Sequence, residues 1–138
     1  MKTKKLFVFS LACVLLSSCA SYKLDKTIWY NLSPAEKDGE KGIVVTSLYF
    51  LSADAVDIYN SVLVDTVLVV QPYKYATGTY STTGNPKKEV KISVSAATLQ
   101  KENVNLKGIF YKKDDAMFLV SQDSISKTYV KLPNTKLP

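Results

Sequence analysis

The sequence predicts an all-β domain, an antiparallel up-and-down meander of about eight strands closing into a small barrel, with a β-sandwich as the alternative. Three observations point there. Apolar residues recur with period two rather than 3.6 over most of residues 27–132. Turn residues interrupt these runs every ~8–12 positions, the spacing of short strands joined by tight connections. No stretch longer than about ten residues carries a helical period, so the crossover helices that parallel strands require are missing.

The segments follow in order as 27–32, 43–50, 55–62, 66–71, 73–82, 89–95, 104–111, 116–121 and 127–132, eight or nine strands. The polar stretch 33–39 reads as the first loop, with Ser33 able to cap one helical turn over residues 34–37. Ser52, Ala53 and Asp54 form the next turn. In Val56-Asp57-Ile58-Tyr59 the β-branched residues face inward and Asp57 outward. Residues 66–70 (TVLVV) are continuously apolar, as in a strand covered on both sides or one whose outer face meets a partner. Thr83-Gly84-Asn85-Pro86-Lys87 is the strongest turn, with Gly for positive φ and Pro to set the exit. Val90-Lys91-Ile92-Ser93-Val94-Ser95 alternates without error, putting Val90, Ile92 and Val94 on the core face. Residues 96–101 read as a turn between strands. Lys112-Lys113-Asp114-Asp115 makes a charged hairpin tip, and Thr128-Tyr129-Val130-Lys131-Leu132 repeats the inward β-branched phase.

The N-terminus has a different grammar. Lys2, Lys4 and Lys5 precede an apolar run, residues 6–16, of the length of an export signal and too short to span a bilayer. Leu16-Ser17-Ser18-Cys19 then fits a lipobox, in which small side chains admit a peptidase and the Cys19 thiol receives diacylglycerol. The chain therefore divides into a cleaved lipoprotein signal peptide (1–18), a lipidated tether (19–26) and a barrel domain (27–138). The position after Cys19 is Ala20 rather than an inner-membrane retention Asp, and no acidic run follows. The expected location is the outer membrane, lipid-anchored and facing the periplasm, with the cell surface as the alternative.

Composition closes many routes to chemistry. The 138 residues carry 18 Lys, no Arg, 12 acids and a net charge of +6. Three of those lysines leave with the signal peptide, so the mature excess is about half, and nucleic acid is not an expected partner. With Cys13 removed and Cys19 acylated, no thiol remains for a disulfide, a metal or a nucleophile. Histidine is absent, which removes histidine bases and histidine-ligated zinc. The close carboxylate pairs Asp54/Asp57 and Asp114/Asp115 read as solvated residues of turns and, for Asp57, of an outward strand position, and no calcium loop is present. No enzyme activity, no metal and no cofactor is expected.

Binding is left. Tyr73 and Tyr75 share one face of a strand beside Lys74, with Tyr80 further along, and Trp29 stands in the first strand. Tyrosine joins a flat apolar body to a polar tip and suits protein surfaces. Tyr73, Tyr75, Tyr80 and Trp29 are the candidate binding residues, against the plainer reading of cross-strand packing and, for Trp29, a plug in the barrel floor.

The lipobox, the short tether, Thr27-Ile28-Trp29-Tyr30 and a meander ending in Tyr129-Val130-Lys131-Leu132 resemble the small calycin-like (lipocalin-like) β-barrel lipoproteins of Bacteroidetes. Ala76-Thr77-Gly78-Thr79-Tyr80 and Lys107-Gly108-Ile109-Phe110-Tyr111 are similar to their glycine-aromatic strands. The Gly-x-Trp of true lipocalins is missing, because Thr27 and Ile28 precede Trp29. The resemblance implies a small closed barrel. The expected function is protein binding or an envelope-structural role. The alternatives are a carrier of a small apolar ligand inside the barrel and an inhibitor or immunity protein against a wall-degrading enzyme.

Overall fold

Period-two alternation becomes eight strands in the computed structural model, which describes residues 24–85 and 87–133. They are β1 (Thr27–Lys37), β2 (Glu40–Phe50), β3 (Ala55–Val64), β4 (Val67–Asn85), β5 (Glu89–Thr98), β6 (Asn103–Tyr111), β7 (Ala116–Ser121) and β8 (Ser126–Lys131). Each pairs antiparallel with the next, and β8 returns to β1 through Trp29–Lys131 and Tyr30–Val130. The meander is thus a closed barrel and not a sandwich. Closure removes most of the free sheet edge that an open meander would expose. The expected signal peptide (residues 1–18) and lipidation site Cys19 fall, with residues 20–23, Pro86 and residues 134–138, outside the described residues.

Connections alternate between two ends. The β2–β3, β4–β5 and β6–β7 connections lie at one end with the start of β1, and the other four lie at the opposite end. The first end is the floor. Trp29, Phe50, Phe110, Met117, Leu48 and Val56 are fully buried there, with Trp29 edge-on to Phe110 at 5.1 Å. Leu24, in the stretch read as tether, belongs to the same core, and Thr27 Oγ1 donates to its carbonyl. The backbone N–H of Lys26 donates to Phe50 O at 2.6 Å. Each such large apolar side chain contributes roughly 1.5–3 kcal/mol by leaving water.

Register bears out the inward set of β5, where Val90, Ile92 and Val94 are buried and Lys91 and Ser95 are exposed. Elsewhere the structure corrects the sequence reading. Segments 66–71 and 73–82 are one strand, β4, because Pro72 falls where β4 has no neighbour on its β5 side and costs no ladder bond there. Residues 34–37 are extended rather than helical, since they pair with residues 40–43 of β2 and the loop shrinks to the positive-φ pair Asp38 and Gly39. Residues 96–98 continue β5.

The phase of β8 is inverted: Tyr129 is buried and Val130 exposed, because Met117, an inward residue of β7, lies opposite Tyr129. Asp57 does face outward from β3 but is buried rather than solvated. Thr77 Oγ1 donates to its Oδ1 at 2.5 Å, and Lys74 Nζ sits 3.2 Å from its Oδ2. Asp57, by hydrogen bond and charge, holds the Lys74 ammonium above the ordinary lysine value.

Candidate functional site

The opposite end of the barrel is open, and its wall is uneven. β5 stops at Thr98, which pairs with Ala76, so among the described residues positions 67–75 of β4 have β3 as their only strand neighbour. β1 likewise pairs with β8 only at Trp29 and Tyr30. The upper parts of β1, β2, β3 and β4 therefore stand above the other half of the barrel as a four-stranded rim with a free edge on each side.

This rim is apolar where water meets it. Val67 and Val69 are 61% and 55% exposed, and Leu68, Val70, Tyr73, Ile43 and Leu32 are also exposed. In-register pairing puts Leu32 opposite Val45 and Ile43 opposite Leu63 on one face, and Val62 opposite Val70 on the other. Both faces thus carry branched aliphatic residues. Among the described residues nothing covers both sides of the stretch 66–70, which removes the reading of its apolar run as a strand buried on both faces.

Below the rim is a cup of about 450 Å3. Val44, Ile58, Val104, Leu106, Leu119 and Ile125 give it an apolar wall; Thr46, Asn60 and Tyr129 interrupt that wall, and Glu102, Asp123 and Lys127 stand among its lining. The barrel is thus filled at the floor and hollow toward the mouth. Interior size contributes to the division: the large rings of Trp29, Phe50 and Phe110 fill the floor, whereas the upper half is lined largely by aliphatic side chains together with Thr46, Asn60 and two tyrosines.

The sequence candidates separate accordingly. β4 carries an extra residue between Ala76, opposite Ile58, and Lys74, opposite Tyr59, and this bulge brings Tyr75 to the cup wall. Tyr73 pairs with Asn60 and is exposed on the rim. Tyr80 lies in the floor, edge-on to Phe50 at 4.7 Å, and its hydroxyl donates to Ser52 O at 2.6 Å. Burial, and then the charges of Asp25 and Asp54, push its phenol up to about 12. Trp29 is 1% exposed and its Nε1 donates to Thr27 Oγ1 at 3.0 Å. The structure therefore groups Tyr73 and Tyr75 at the mouth and places Tyr80 and Trp29 in packed core at the other end, out of reach of anything bound at the mouth.

Sequence reasoning passed over Thr46, Asn60 and Tyr129. Asn60 was within reach, since extending the inward set Val56, Ile58 by one step of two lands on it. Burial pushes the Tyr129 phenol up to about 12. Among the described residues no three acidic side chains gather as a metal site, and no helix is long and apolar enough to cross a membrane. Set against known proteins, the chain matches no family model, no curated protein and no solved structure.

Proposed function

We propose that this chain is a lipid-anchored, non-enzymatic binding protein of the bacterial outer membrane whose rim engages a protein partner by strand addition. The observation that carries the proposal is residues 67–75: a free backbone edge combined with exposed Val67, Leu68, Val69, Val70, Tyr73 and Tyr75. Main-chain groups on an open edge supply affinity to an extended polypeptide, and the alternating side chains supply specificity. Soluble proteins usually blunt such an edge with charge. Here the flanking protection is limited to Pro72 and Lys74.

The anchor fits the same arrangement. The lipobox ends at Cys19 and the chain joins the barrel at Leu24, on the floor side. Four intervening residues reach roughly 3.3–3.6 Å each. A membrane at the floor leaves the rim pointing away from it, toward soluble partners. The resemblance to calycin-like lipoproteins of Bacteroidetes supports this anchored-barrel reading.

Two measurements test it. Cys19→Ser is expected to abolish acyl labelling and membrane fractionation while the barrel keeps its β-type circular dichroism, because one or more acyl chains supply the membrane affinity. Membrane retention of that variant overturns the anchor. For the rim, a partner captured from detergent-solubilised envelopes is expected to protect the amides of residues 67–75 from hydrogen exchange. Val69→Lys should abolish capture, and Tyr73→Ala and Tyr75→Ala should each weaken it by ~1–2 kcal/mol, the scale of an aromatic anchor. None of the three should lower thermal stability appreciably. A partner that still binds Val69→Lys and leaves those amides exchanging freely overturns strand addition.

A further inference from the structure

The two ends of the barrel differ in charge. The floor-end segments 24–26, 51–54, 85–89, 112–115 and 131–133 hold six lysines and five acids, whereas the mouth-end segments 36–41, 65–66, 99–102 and 122–127 hold four lysines and six acids. Exposure widens the difference. At the floor Lys26, Lys87, Lys88, Lys113 and Lys131 are exposed, against Asp54, Asp114 and Asp115, while Asp25 and Glu89 are half-buried. Among the described residues no ion pair engages any of these lysines. Two more, Lys23 and Lys136, stand in the sequence just before Leu24 and shortly after Pro133, where the chain enters and leaves this end.

Two exposed leucines mark the same end, Leu51 at 42% and Leu132 at 38%. β1 starts between them. The Lys26 N–H donates to Phe50 O on one side, and the Leu132 N–H donates to Ile28 O on the other. The leucines therefore flank the point of entry, with Lys26 and Lys131 beside them.

We infer that the floor is itself a membrane-contact surface, which takes anionic phospholipid headgroups on its lysines and sets Leu51 and Leu132 into the interface. Its setting rests on the anchored reading proposed above. The four residues between Cys19 and Leu24 would keep the floor within about 18 Å of an acylated cysteine. Attraction to an anionic surface acts within a Debye length, ~8 Å at physiological salt, and a lysine stem reaches across several ångströms of it. Leucines beside such lysines bury apolar area at the headgroup boundary. The acid-rich mouth is repelled by the same surface. Acyl chains alone hold a protein without orienting it, whereas this charge difference turns the mouth and its rim away from the lipid.

The test uses residues 20–138, which lack Cys19 but contain every strand and the described core, so its outcome is separate from that of Cys19→Ser. The probes are vesicles of phosphatidylcholine alone and of phosphatidylcholine with phosphatidylglycerol in equal parts. The barrel is expected to float with the anionic vesicles at low salt, to be released as salt rises, and to leave the neutral ones unbound. Lys87→Gln combined with Lys88→Gln should weaken binding about tenfold or more. Lys37→Gln combined with Lys41→Gln, the same loss of charge at the mouth, should leave it unchanged. Leu51→Trp should shift to the blue on the anionic vesicles and be quenched by brominated lipid, over the constant background of buried Trp29. Leu132→Trp, on the other side of β1, repeats that reading, and Leu99→Trp in the β5–β6 turn at the mouth should show neither effect. All the substituted side chains are exposed, and circular dichroism checks the fold of each variant. Failure to float with anionic vesicles overturns the inference. So does equal weakening by the floor and mouth lysine pairs, which reduces the binding to net charge, or a shift of Leu99→Trp without one of Leu51→Trp and Leu132→Trp.

Discussion

Ile92→Asp is expected to cost about 4 kcal/mol or more, a large share of the ~5–15 kcal/mol that separates a folded domain from its unfolded chain. Ile92 is 2% exposed, lies opposite Gly108 on β6, and packs with Val90 and Val94 in the core. A carboxylate there loses its hydration, and among the described residues no cationic side chain is buried in the core around it. It must either stay charged and unpaired or take up a proton, and both routes are paid from folding stability. Lys91→Asp, one residue away on the solvent face, should change stability by less than about 0.5 kcal/mol. Urea unfolding followed by circular dichroism measures both. Equal damage from the two substitutions would mean that the inward and outward sets of β5 are wrong.

Gly108→Ala is expected to be nearly as damaging, by about 3 kcal/mol, although it adds a single methyl group. A Cβ at this position would lie 2.7 Å from the Phe118 carbonyl carbon and 2.9 Å from Leu119 Cα, and closer still to the Phe118 oxygen. All three are backbone atoms of β7, so no side-chain rotation relieves the contact. The strand itself must move, which breaks the pairing Gly108–Leu119 and Ile109–Phe118. Gly42→Ala, on the rim, serves as the control: its Cβ would approach the Leu63 carbonyl oxygen no closer than 3.0 Å, and the other near atoms are valine methyls that can shift. A Gly108→Ala protein with wild-type thermal stability would show that β6 and β7 pack less closely than the structure has them.

Most of the fold was legible because a half-buried strand writes its own pattern. Val90, Ile92 and Val94 had to share a face, the turn at residues 83–87 had to separate two strands, and the lack of a helical period excluded parallel pairing. Errors arose where one neighbour outweighs local preference. Pro72 reads as a strand break, yet it is tolerated because that part of β4 is an edge. Tyr129 reads as outward beside Val130, yet β8 must close between β7 and β1 in the register that turns Tyr129 inward. Asp57 reads as solvated, yet Lys74 and Thr77, some twenty positions on, cover it.

The candidate site was legible only in its tyrosines. The sequence by itself determined the strand pattern and an inventory without histidine or arginine. Those features rest on local periodicity and on counting, which need no third dimension. Only the tertiary structure decided that the barrel is packed at one end and hollow at the other, that Tyr73 and Tyr75 stand at the mouth while Trp29 and Tyr80 are core, and that Thr46, Asn60 and Tyr129 line one cup. Those outcomes depend on strand length mismatch, shear and one bulge, and each is set by pairing between residues distant in the chain. The same mismatch, a β4 that outruns β5, raises the rim and opens the cup beneath it.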